Sequence, residues 1–372
     1  MAHSGRNIFS LPTYLLPLGI GSGIIDKKEG INDISSPEVI MKKITILALR
    51  GAAASSITGP MDAFLFAGVL WNIACGQKPS PCFEITVASP DGKAVKCANR
   101  LYIEPHCAIH DVKNADLIMI SAIAGDVERA IGRNKEAIDW LVRQYRSGVH
   151  IASICTGAFI LAETGLLKGK TATTHWGYVD LFRRRYPLVH LRPDALITDE
   201  GDLYCSGGSN AYNDLSFYLI EKLSGRDIAV QCSKAMVQDF GRATQAPYAA
   251  FRFPKGHAEQ DILAVQRWIE ENYTEGITIA MLADRCAMGQ RTFERRFKQS
   301  TGESPIAYLQ KVRINAAKAL LERPHSTFEE VTYHVGYEDI SSFRKIFQRH
   351  TGLRPKEYQR LFQQRNQIQR AG

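Results

Sequence analysis

The 372-residue sequence lacks any uninterrupted apolar run of the roughly 20 residues that a membrane-spanning helix needs. Its most apolar early segment, residues 11–25, is broken by Pro12, Pro17 and glycines, and it has neither a basic start nor a small-residue cleavage site. The sequence therefore predicts a cytoplasmic protein with no membrane partner. Residues 1–40 are interpreted as an extension, or as an ordered arm, and Met41 as an alternative start of translation.

Paired cysteines are also lacking. Eight cysteines are scattered along the chain without a Cys-x-x-Cys pair. Zinc sites draw on such pairs, and disulfide frameworks are typical of short secreted chains. We therefore expect no metal, no cofactor and a reducing compartment. The formal net charge of +8 is compatible with an anionic partner but does not by itself indicate one.

The length of the chain favours two domains. Across residues 41–235, short apolar runs that suit fully buried strands alternate with segments that suit helices. This alternation predicts a doubly wound α/β domain of the flavodoxin-like type. The predicted strands cover residues 44–49, 83–88, 117–120, 149–154, 195–199 and 203–206, and the predicted helices cover 61–75, 135–146, 156–164, 176–186 and 210–223.

The pattern changes after residue 235. Residues 236–258 carry proline and glycine and show no periodicity, which is typical of a linker. Residues 259–364 have a helical pattern throughout, and residues 365–372 are interpreted as a short tail. We therefore predict that an α/β domain is followed, through the linker, by an all-α domain.

The helical domain contains an internal repeat at a shift of 50 residues. Two phenylalanines four residues apart place their rings on one buried helix face. A Thr-Gly pair suits the end of that helix, and a proline three residues on suits the start of the next. The matching positions are Phe293 and Phe343, Phe297 and Phe347, Thr301 and Thr351, Gly302 and Gly352, Pro305 and Pro355, and Tyr308 and Tyr358.

Each copy of the repeat is preceded by a shorter apolar helix, at 278–286 and at 328–335, and by a tight connection. A helix, a short turn and a second helix with a basic polar face form a helix-turn-helix unit, whose second helix enters the major groove of DNA. Residues 305–321 predict one continuous helix between the units. It would hold the two recognition helices at a spacing that suits successive major grooves on one face of DNA.

These motifs, with Val335-Gly336-Tyr337 ahead of the second copy, resemble the AraC/XylS family of transcription regulators over residues 258–362. The resemblance implies sequence-specific binding to double-stranded promoter DNA. Any one polar residue of these helices would be explained by a solvated face, but their repetition favours DNA contacts. By position, the resemblance places base contacts at Arg291, Glu294 and Arg295 in the first unit and at Ser341, Arg344 and Lys345 in the second.

In the α/β domain, residues 151–159 run from an apolar strand into a helix, with Cys155 at the corner. Such a nucleophile elbow exposes its side chain above the edge of a sheet. The N-terminus of the following helix is expected to lower the pKa of the Cys155 thiol. His175 follows twenty residues later, and a Cys–His pair is the minimum for covalent catalysis. Spacing alone is weak evidence, because the chain has eight cysteines and ten histidines.

Residues 44–225 resemble the ThiJ/PfpI branch of the class I glutamine amidotransferase-like superfamily, and the domain order resembles that of GlxA-type regulators. The resemblance places Cys155 at the elbow cysteine of that superfamily and His175 at its common histidine. The enzymes of the superfamily carry a carboxylate after the first strand, where this chain has Ser56. Since serine offers little general-base strength near neutral pH, the resemblance implies a vestigial elbow without catalysis.

The α/β domain is therefore predicted to be a sensor. A small-molecule effector would bind in a pocket formed by Cys155, His175, Ser56 and Asp62, and binding would shift the population of DNA-binding states. The resemblance implies that the effector is a nitrogen-containing metabolite, such as an amino acid or a quaternary amine, and that the protein is a homodimer.

Two alternatives stay open at the level of the sequence. A Cys-dependent hydrolase or amidase fused to a DNA-binding domain would need a carboxylate, such as Asp62, Glu84 or Glu163, within hydrogen-bond reach of Cys155. A redox-sensing regulator would oxidise Cys155 to a sulfenic or sulfinic acid, which a lowered thiol pKa would favour. The simplest explanation of Cys155 itself is a small buried thiol.

Overall fold

The computed structural model describes residues 41–239, 241–251, 253 and 255–363. The predicted extension, which precedes the alternative start site at Met41, and the predicted tail lie outside these described residues.

Among the described residues, a seven-stranded sheet forms the centre of the N-terminal domain. The strands of the domain are β1 (Lys42–Leu47), β2 (Phe83–Ser89), β3 (Val95–Lys96), β4 (Tyr102–Ile103), β5 (Cys107–Ala108), β6 (Leu117–Ile120), β7 (His150–Ile154), β8 (Thr171–Ala172), β9 (His190–Leu191), β10 (Ile197–Asp199) and β11 (Leu203–Ser206). The main sheet has the order β10-β11-β7-β6-β1-β2-β5, and every neighbouring pair is parallel except β10 with β11.

Helices cover both faces of this sheet. Alternate residues of β6 point to opposite faces, so that Ile118 and Ile120 join one apolar cluster while Leu117 and Met119 join another. This two-sided burial explains why the central strands are continuous apolar runs, and it confirms the predicted doubly wound α/β fold. The helices of the domain are α1 (Ser55–Phe66), α2 (Leu70–Ala74), α3 (Val127–Arg133), α4 (Lys135–Arg146), α5 (Gly157–Glu163), α6 (Val179–Arg185), α7 (Ala211–Ser224) and α8 (Arg226–Ala235), with 3-10 turns at Ile109–Asp111 and Trp176–Tyr178.

The prediction of one helix at 61–75 is wrong. The chain forms α1 and α2 instead, because Ala67 is extended and Gly68 has a φ of +74°. A Cβ at residue 68 would lie 2.1 Å from the carbonyl oxygen of Ser80, so glycine is required by space as well as by φ. The helices α3 and α8 were not predicted.

The described part of the C-terminal region is helical, as predicted. Helices α10 and α11 form the first helix-turn-helix unit, α13 and α14 form the second, and α12 joins the two units without a break. The helices are α9 (Gln260–Asn272), α10 (Ile279–Asp284), α11 (Gln290–Thr301), α12 (Pro305–Leu321), α13 (Phe328–His334), α14 (Ile340–Thr351) and α15 (Pro355–Gln363).

The sequence repeat is reproduced in its hydrogen bonds. Thr301 donates from its hydroxyl to the carbonyl of Phe297 at 2.8 Å, and Thr351 donates to Phe347 at the same distance. The glycine after each threonine is left-handed, with φ values of +83° and +72°, and it ends the recognition helix.

The repeated tyrosines show that α9 supports the first unit as α12 supports the second. Tyr308 donates from its hydroxyl to Glu270 of α9 at 2.5 Å, and Tyr358 donates to Glu322, which directly follows α12, at 2.6 Å. Both tyrosine rings are buried in the core, and the hydroxyl group of each is satisfied by a carboxylate.

The linker packs against both domains. On the α/β side, Arg242 pairs with the buried carboxylate of Asp214 at 2.5 Å. On the helical side, the backbone of Phe251 exchanges two hydrogen bonds with the amide side chain of Asn315, at 3.3 and 3.2 Å. Its low periodicity therefore reflects an irregular packed segment that includes the 3-10 turn Ala246–Tyr248.

Candidate functional site

The nucleophile elbow is present at Cys155. The residue follows β7, precedes α5 and has a φ of +56°, a left-handed conformation that is uncommon outside glycine. Its amide donates to the carbonyl of Ser206 at 2.9 Å, and its carbonyl accepts from the hydroxyl of Thr174 at 2.9 Å. These two bonds from neighbouring segments hold the elbow in its strained conformation.

The thiol of Cys155 is buried, with 4% of the residue exposed. Burial raises its pKa, and the hydrogen bonds with Ser209 and Thr156 oppose that shift without cancelling it. The Sγ atom lies 3.9 Å from the hydroxyl oxygen of Ser209. The expectation that α5 lowers the thiol pKa is therefore wrong, because desolvation of the thiolate outweighs the helix N-terminus.

Ser56 lies at the same edge of the sheet as the elbow, but its hydroxyl is committed to the backbone. It donates to the carbonyl of Ala53 at 2.7 Å and accepts from the amide of Ala122 at 3.0 Å. In the loop after β6, the next amide, that of Ile123, donates to the hydroxyl of Thr156 at 2.8 Å. Ser56 and Thr156 thus fix the loop after β6 beside Cys155.

Of the three carboxylates considered as acid or base, Glu163 and Glu84 are placed elsewhere. Glu163 lies 2.7 Å from Arg185 and accepts from Tyr186 at 2.5 Å. Glu84 pairs in register with Lys43 at the amino-end side of the sheet, whereas Cys155 follows a carboxyl end. Asp62 is exposed on α1, and burial on one side raises the pKa of its carboxyl. Among the described residues, the Cys155 thiol forms hydrogen bonds with Ser209 and Thr156 and with none of these carboxylates.

His175 stands at the start of the 3-10 turn Trp176–Tyr178. Its Nδ1 atom accepts from the amide of Gly177 at 3.0 Å, and its ring stacks on the Trp176 indole with a centroid distance of 5.1 Å. The adjacent Thr174 bonds the elbow, so the two segments that carry Cys155 and His175 are neighbours.

The predicted DNA-contacting residues lie on exposed helix faces. From Arg291 in α11 and from Ser341 in α14 onward the burial pattern is identical, with two buried phenylalanines and an exposed polar face opposite. The Arg344 guanidinium also lies over the Phe328 ring, 5.8 Å from its centre. The exposed residues on these faces include Arg291, Glu294 and Arg295 of α11 and Ser341, Arg344 and Lys345 of α14.

The N-termini of the recognition helices differ. Asp339 caps α14, accepting from the amides of Ser341 and Ser342 at 3.0 Å each. Gly289 precedes α11 and offers no side-chain cap. The start of α14 is therefore held by a side-chain cap, whereas the start of α11 is not.

Sequence reasoning missed the residues that join the domains. Gln245 is buried, and its side-chain amide donates to the carbonyl of Thr174 at 2.8 Å. Lys318 of α12 is buried on the other side of the linker and donates to the carbonyl of Ala249 at 2.6 Å. A signal existed for Lys318, since it follows Ile314 by four residues in the apolar stripe of α12.

The sheet with its elbow and the two helix-turn-helix units define an α/β domain joined to a DNA-binding domain. The family model described as "DJ-1/PfpI family" matches residues 42–222, and the model described as "Helix-turn-helix domain" matches residues 282–361. The chain belongs to the AraC family of DNA-binding transcription regulators, and its N-terminal domain belongs to the DJ-1/PfpI family.

Three similar proteins illustrate the relationship. The HTH-type transcriptional regulator CdhR of Pseudomonas aeruginosa is 28% identical over 73% of this chain and 80% of its own length. The HTH-type transcriptional regulator GlxA of Rhizobium meliloti is 24% identical over 85% of this chain and 94% of its own. The isonitrile hydratase of Pseudomonas putida is 30% identical over 40% of this chain and 63% of its own.

In the part of the chain that the structure describes, no helix is both long and apolar enough to span a membrane. No group of three or more His, Cys, Asp and Glu side chains is placed to hold a metal ion, within the same residues.

Proposed function

We propose that this regulator binds its operator under the control of a small-molecule effector that occupies the α/β domain without being converted. The effector site is the region of Cys155, His175, Ser56 and Asp62. The observation that carries the proposal is the state of the elbow: the thiol is buried with a raised pKa, and the hydroxyl of Ser56 is held by backbone groups.

The chemistry of the elbow supports binding over turnover. A cysteine nucleophile acts as a thiolate and needs a base or an electropositive surrounding to form it. Glu163 is paired with Arg185 and Tyr186, and Glu84 lies toward the opposite end of the strands. The raised pKa of Cys155 also argues against a redox sensor, which depends on thiolate at neutral pH.

The proposed contacts to DNA follow from the exposed faces of α11 and α14. Arg295 and Arg344 suit bidentate hydrogen bonds to guanine, and Arg291, Glu294, Ser341 and Lys345 lie on the same faces. The continuous helix α12 holds the two faces at a set separation.

A homodimer through the α/β domain is the proposed assembly, and it rests on the resemblance. Light scattering of the full chain as it elutes from a size-exclusion column measures its mass. A mass of one chain at the concentration that saturates the operator would contradict the dimer.

A thermal-shift screen of the full chain tests the effector proposal. The panel contains amino acids, quaternary amines and, because one relative is named an isonitrile hydratase, an alkyl isonitrile. The wild type and Cys155→Ala are screened in parallel, and each compound is recovered for mass spectrometry. We expect a compound that raises the melting temperature, changes operator affinity and is recovered unaltered.

Two outcomes would contradict the effector proposal. A compound that the wild type consumes and Cys155→Ala does not would replace the sensor by a Cys-dependent enzyme. A stabilising compound with no effect on operator affinity would remove the regulatory part of the proposal, because a ligand shifts an equilibrium only by its differential affinity.

A further inference from the structure

The linker places one glutamine side chain inside the α/β domain. Gln245 lies in a bend of the linker, directly before the 3-10 turn Ala246–Tyr248, yet only 2% of the residue is exposed. Its backbone amide donates to the carbonyl of Asp194 at 3.0 Å, and the adjoining residue Thr244 forms an antiparallel bridge with Ala195. The linker therefore runs alongside the segment that leads into β10, and the Gln245 side chain is buried against that segment.

Both ends of the Gln245 carboxamide have partners of matching polarity. The Nε2 group donates to the carbonyl of Thr174 at 2.8 Å and lies 3.3 Å from both the hydroxyl of Thr173 and the carbonyl of Ala195. The Thr173 hydroxyl donates to Ala195 at 2.9 Å, so it presents a lone pair to Nε2. The Oε1 atom accepts from the backbone amide of Trp176 at 3.3 Å. These partners suit a primary carboxamide in one orientation, whereas a carboxylate would set an oxygen against carbonyl oxygens.

A glycine provides the room for this carboxamide. A Cβ at residue 207 would lie 2.5 Å from Nε2, 2.6 Å from Cδ and 2.7 Å from Oε1 of Gln245, closer than side chains pack. The φ of Gly207 lies outside the left-handed region, so its backbone conformation does not call for glycine. The space that the Gln245 side chain occupies does. The carboxamide slot is the space bounded by Thr173, Thr174, Trp176, Ala195 and Gly207.

The carboxamide slot lies between the elbow and the second helix-turn-helix unit. On one side, the hydroxyl of Thr174 donates to the carbonyl of Cys155 at 2.9 Å. On the other side, a Cβ at Gly352, the residue that ends α14, would lie 3.0 Å from the methyl carbon of Thr244. Gln245 therefore fastens the linker to the α/β domain beside the point where the linker touches the end of the second recognition helix.

We propose that the carboxamide slot is a binding site for primary carboxamides, and that Gln245 occupies it as a latch that holds the linker, and with it the second helix-turn-helix unit, on the α/β domain. Because the glutamine is tethered beside the slot, its effective concentration is high, and a small free amide does not displace it. A larger carboxamide competes only by making further contacts of its own, and it then releases the linker. The latch does not depend on an effector at the elbow.

Returning the deleted end of the side chain as a free molecule tests the slot. Gln245→Ala removes the atoms of one acetamide molecule, and this variant of the full chain should melt about 5 °C or more below the wild type. Acetamide at about 100 mM should raise the melting temperature of the variant by about 2 °C more than that of the wild type, whose slot is filled. Acetate, which lacks a donor, and N,N-dimethylacetamide, which has no N–H, should give no such difference.

Two neighbouring glycines test the latch with Gln245 left in place. Gly207→Ala should expel the Gln245 side chain, whereas a Cβ at Gly208 meets no atom within 4 Å among the described residues, so Gly208→Ala is the matched control. Hydrogen exchange of the full chain, followed by mass spectrometry, should be about tenfold faster over residues 173–178 and 243–249 in Gly207→Ala and unchanged in Gly208→Ala. This comparison decides the matter even if Gln245→Ala fails to fold.

The contrary outcomes are distinct from those of the effector proposal. The latch is overturned if Gly207→Ala and Gly208→Ala exchange alike. The slot is overturned if acetamide stabilises Gln245→Ala no more than the wild type, or if acetate stabilises it equally well. Adding Cys155→Ala to Gln245→Ala should leave the acetamide response unchanged. Its loss there would assign the bound amide to the elbow and overturn the slot.

Discussion

The amine of Lys318 lies 2.6 Å from the carbonyl oxygen of Ala249, and this contact ties the helix between the two DNA-binding units to the interdomain linker. The same amine lies 3.4 Å from the carbonyl of Ala246. On the other side of the linker, Gln245 bonds Thr174, whose hydroxyl bonds the elbow at Cys155. A short chain of hydrogen bonds therefore links the elbow of the α/β domain with α12.

The buried amine of Lys318 predicts a pH-dependent stability. Burial lowers its pKa from 10.5 to about 8, with Glu322 acting in the opposite direction. Between these two values the unfolded chain binds more protons than the folded one, so this group makes the free energy of unfolding rise as the pH increases from 8 to 10.5. The rise should amount to at most about 3 kcal/mol.

Urea unfolding of the wild type and of Lys318→Met across that pH range measures the effect. The free energy of unfolding of the wild type minus that of Lys318→Met should therefore rise with pH. The same scan of Lys356→Met, which removes an exposed lysine of α15, corrects for the loss of one positive charge. A difference for Lys318→Met that stays constant with pH would show that the folded chain keeps this amine charged throughout.

The exposed arginines of the recognition helices predict a loss of operator affinity. Arg295→Ala and Arg344→Ala should each weaken specific binding by about 1–3 kcal/mol, because each removes a guanidinium from the face proposed to read bases. Fluorescence anisotropy at fixed salt measures the affinity. Arg267→Ala is a matched control, since Arg267 is an exposed arginine of α9 outside both recognition helices. Equal losses in all three variants would indicate that these arginines act only by general attraction to the charge of DNA, and would contradict the proposed base contacts.

The burial of Cys155 predicts slow reaction with alkylating reagents. Cys75 is exposed, whereas Cys155 is buried with a raised pKa, so iodoacetamide at pH 7 should modify Cys75 first and leave Cys155 unmodified in the folded chain. Peptide mapping by mass spectrometry follows each thiol, and denaturant should make both react. Preferential labelling of Cys155 would reopen the redox and enzyme alternatives.

Gly157, the first residue of α5, has no room for a side chain. A Cβ there would lie 2.9 Å from the carbonyl oxygens of both Ile120 and Ser121, which are backbone atoms of the sheet edge. Gly157→Ala should therefore cost about 1–3 kcal/mol of stability and disturb the elbow. Gly132→Ala, within α3 and with open space around it, should instead stabilise by about 0.5–1 kcal/mol. Thermal unfolding of both variants measures the contrast, and similar changes in the two would contradict the steric explanation.

The two helix-turn-helix units could be predicted because their signals are local. The spacing of Phe293 and Phe297, and of Phe343 and Phe347, sets one buried face on each helix, and Thr-Gly ends it within the same few residues. The elbow at Cys155 was likewise predicted from an apolar strand that runs into a helix. In each case neighbouring residues carry the information that forms the structure.

The state of the elbow could not be predicted in this way. The helix N-terminus next to Cys155 is visible in the sequence, and it led to the wrong direction for the thiol pKa. The elbow is held by segments distant in sequence, the end of β11 at Ser206 and the segment at Thr174, and the burial that decides the direction exists only in the folded chain. The roles of the predicted pocket and DNA-contact residues stay predictions.

By itself, the sequence determined the α/β and helical domains, the duplicated DNA-binding unit and the cysteine at the elbow, because hydrophobic periodicity and helix-ending residues act over short distances. Only the tertiary structure decided that the linker is packed and that Lys318 and Gln245 bind its two sides. Those features depend on which distant surfaces meet, and the energies of desolvation and hydrogen bonding are set at that meeting.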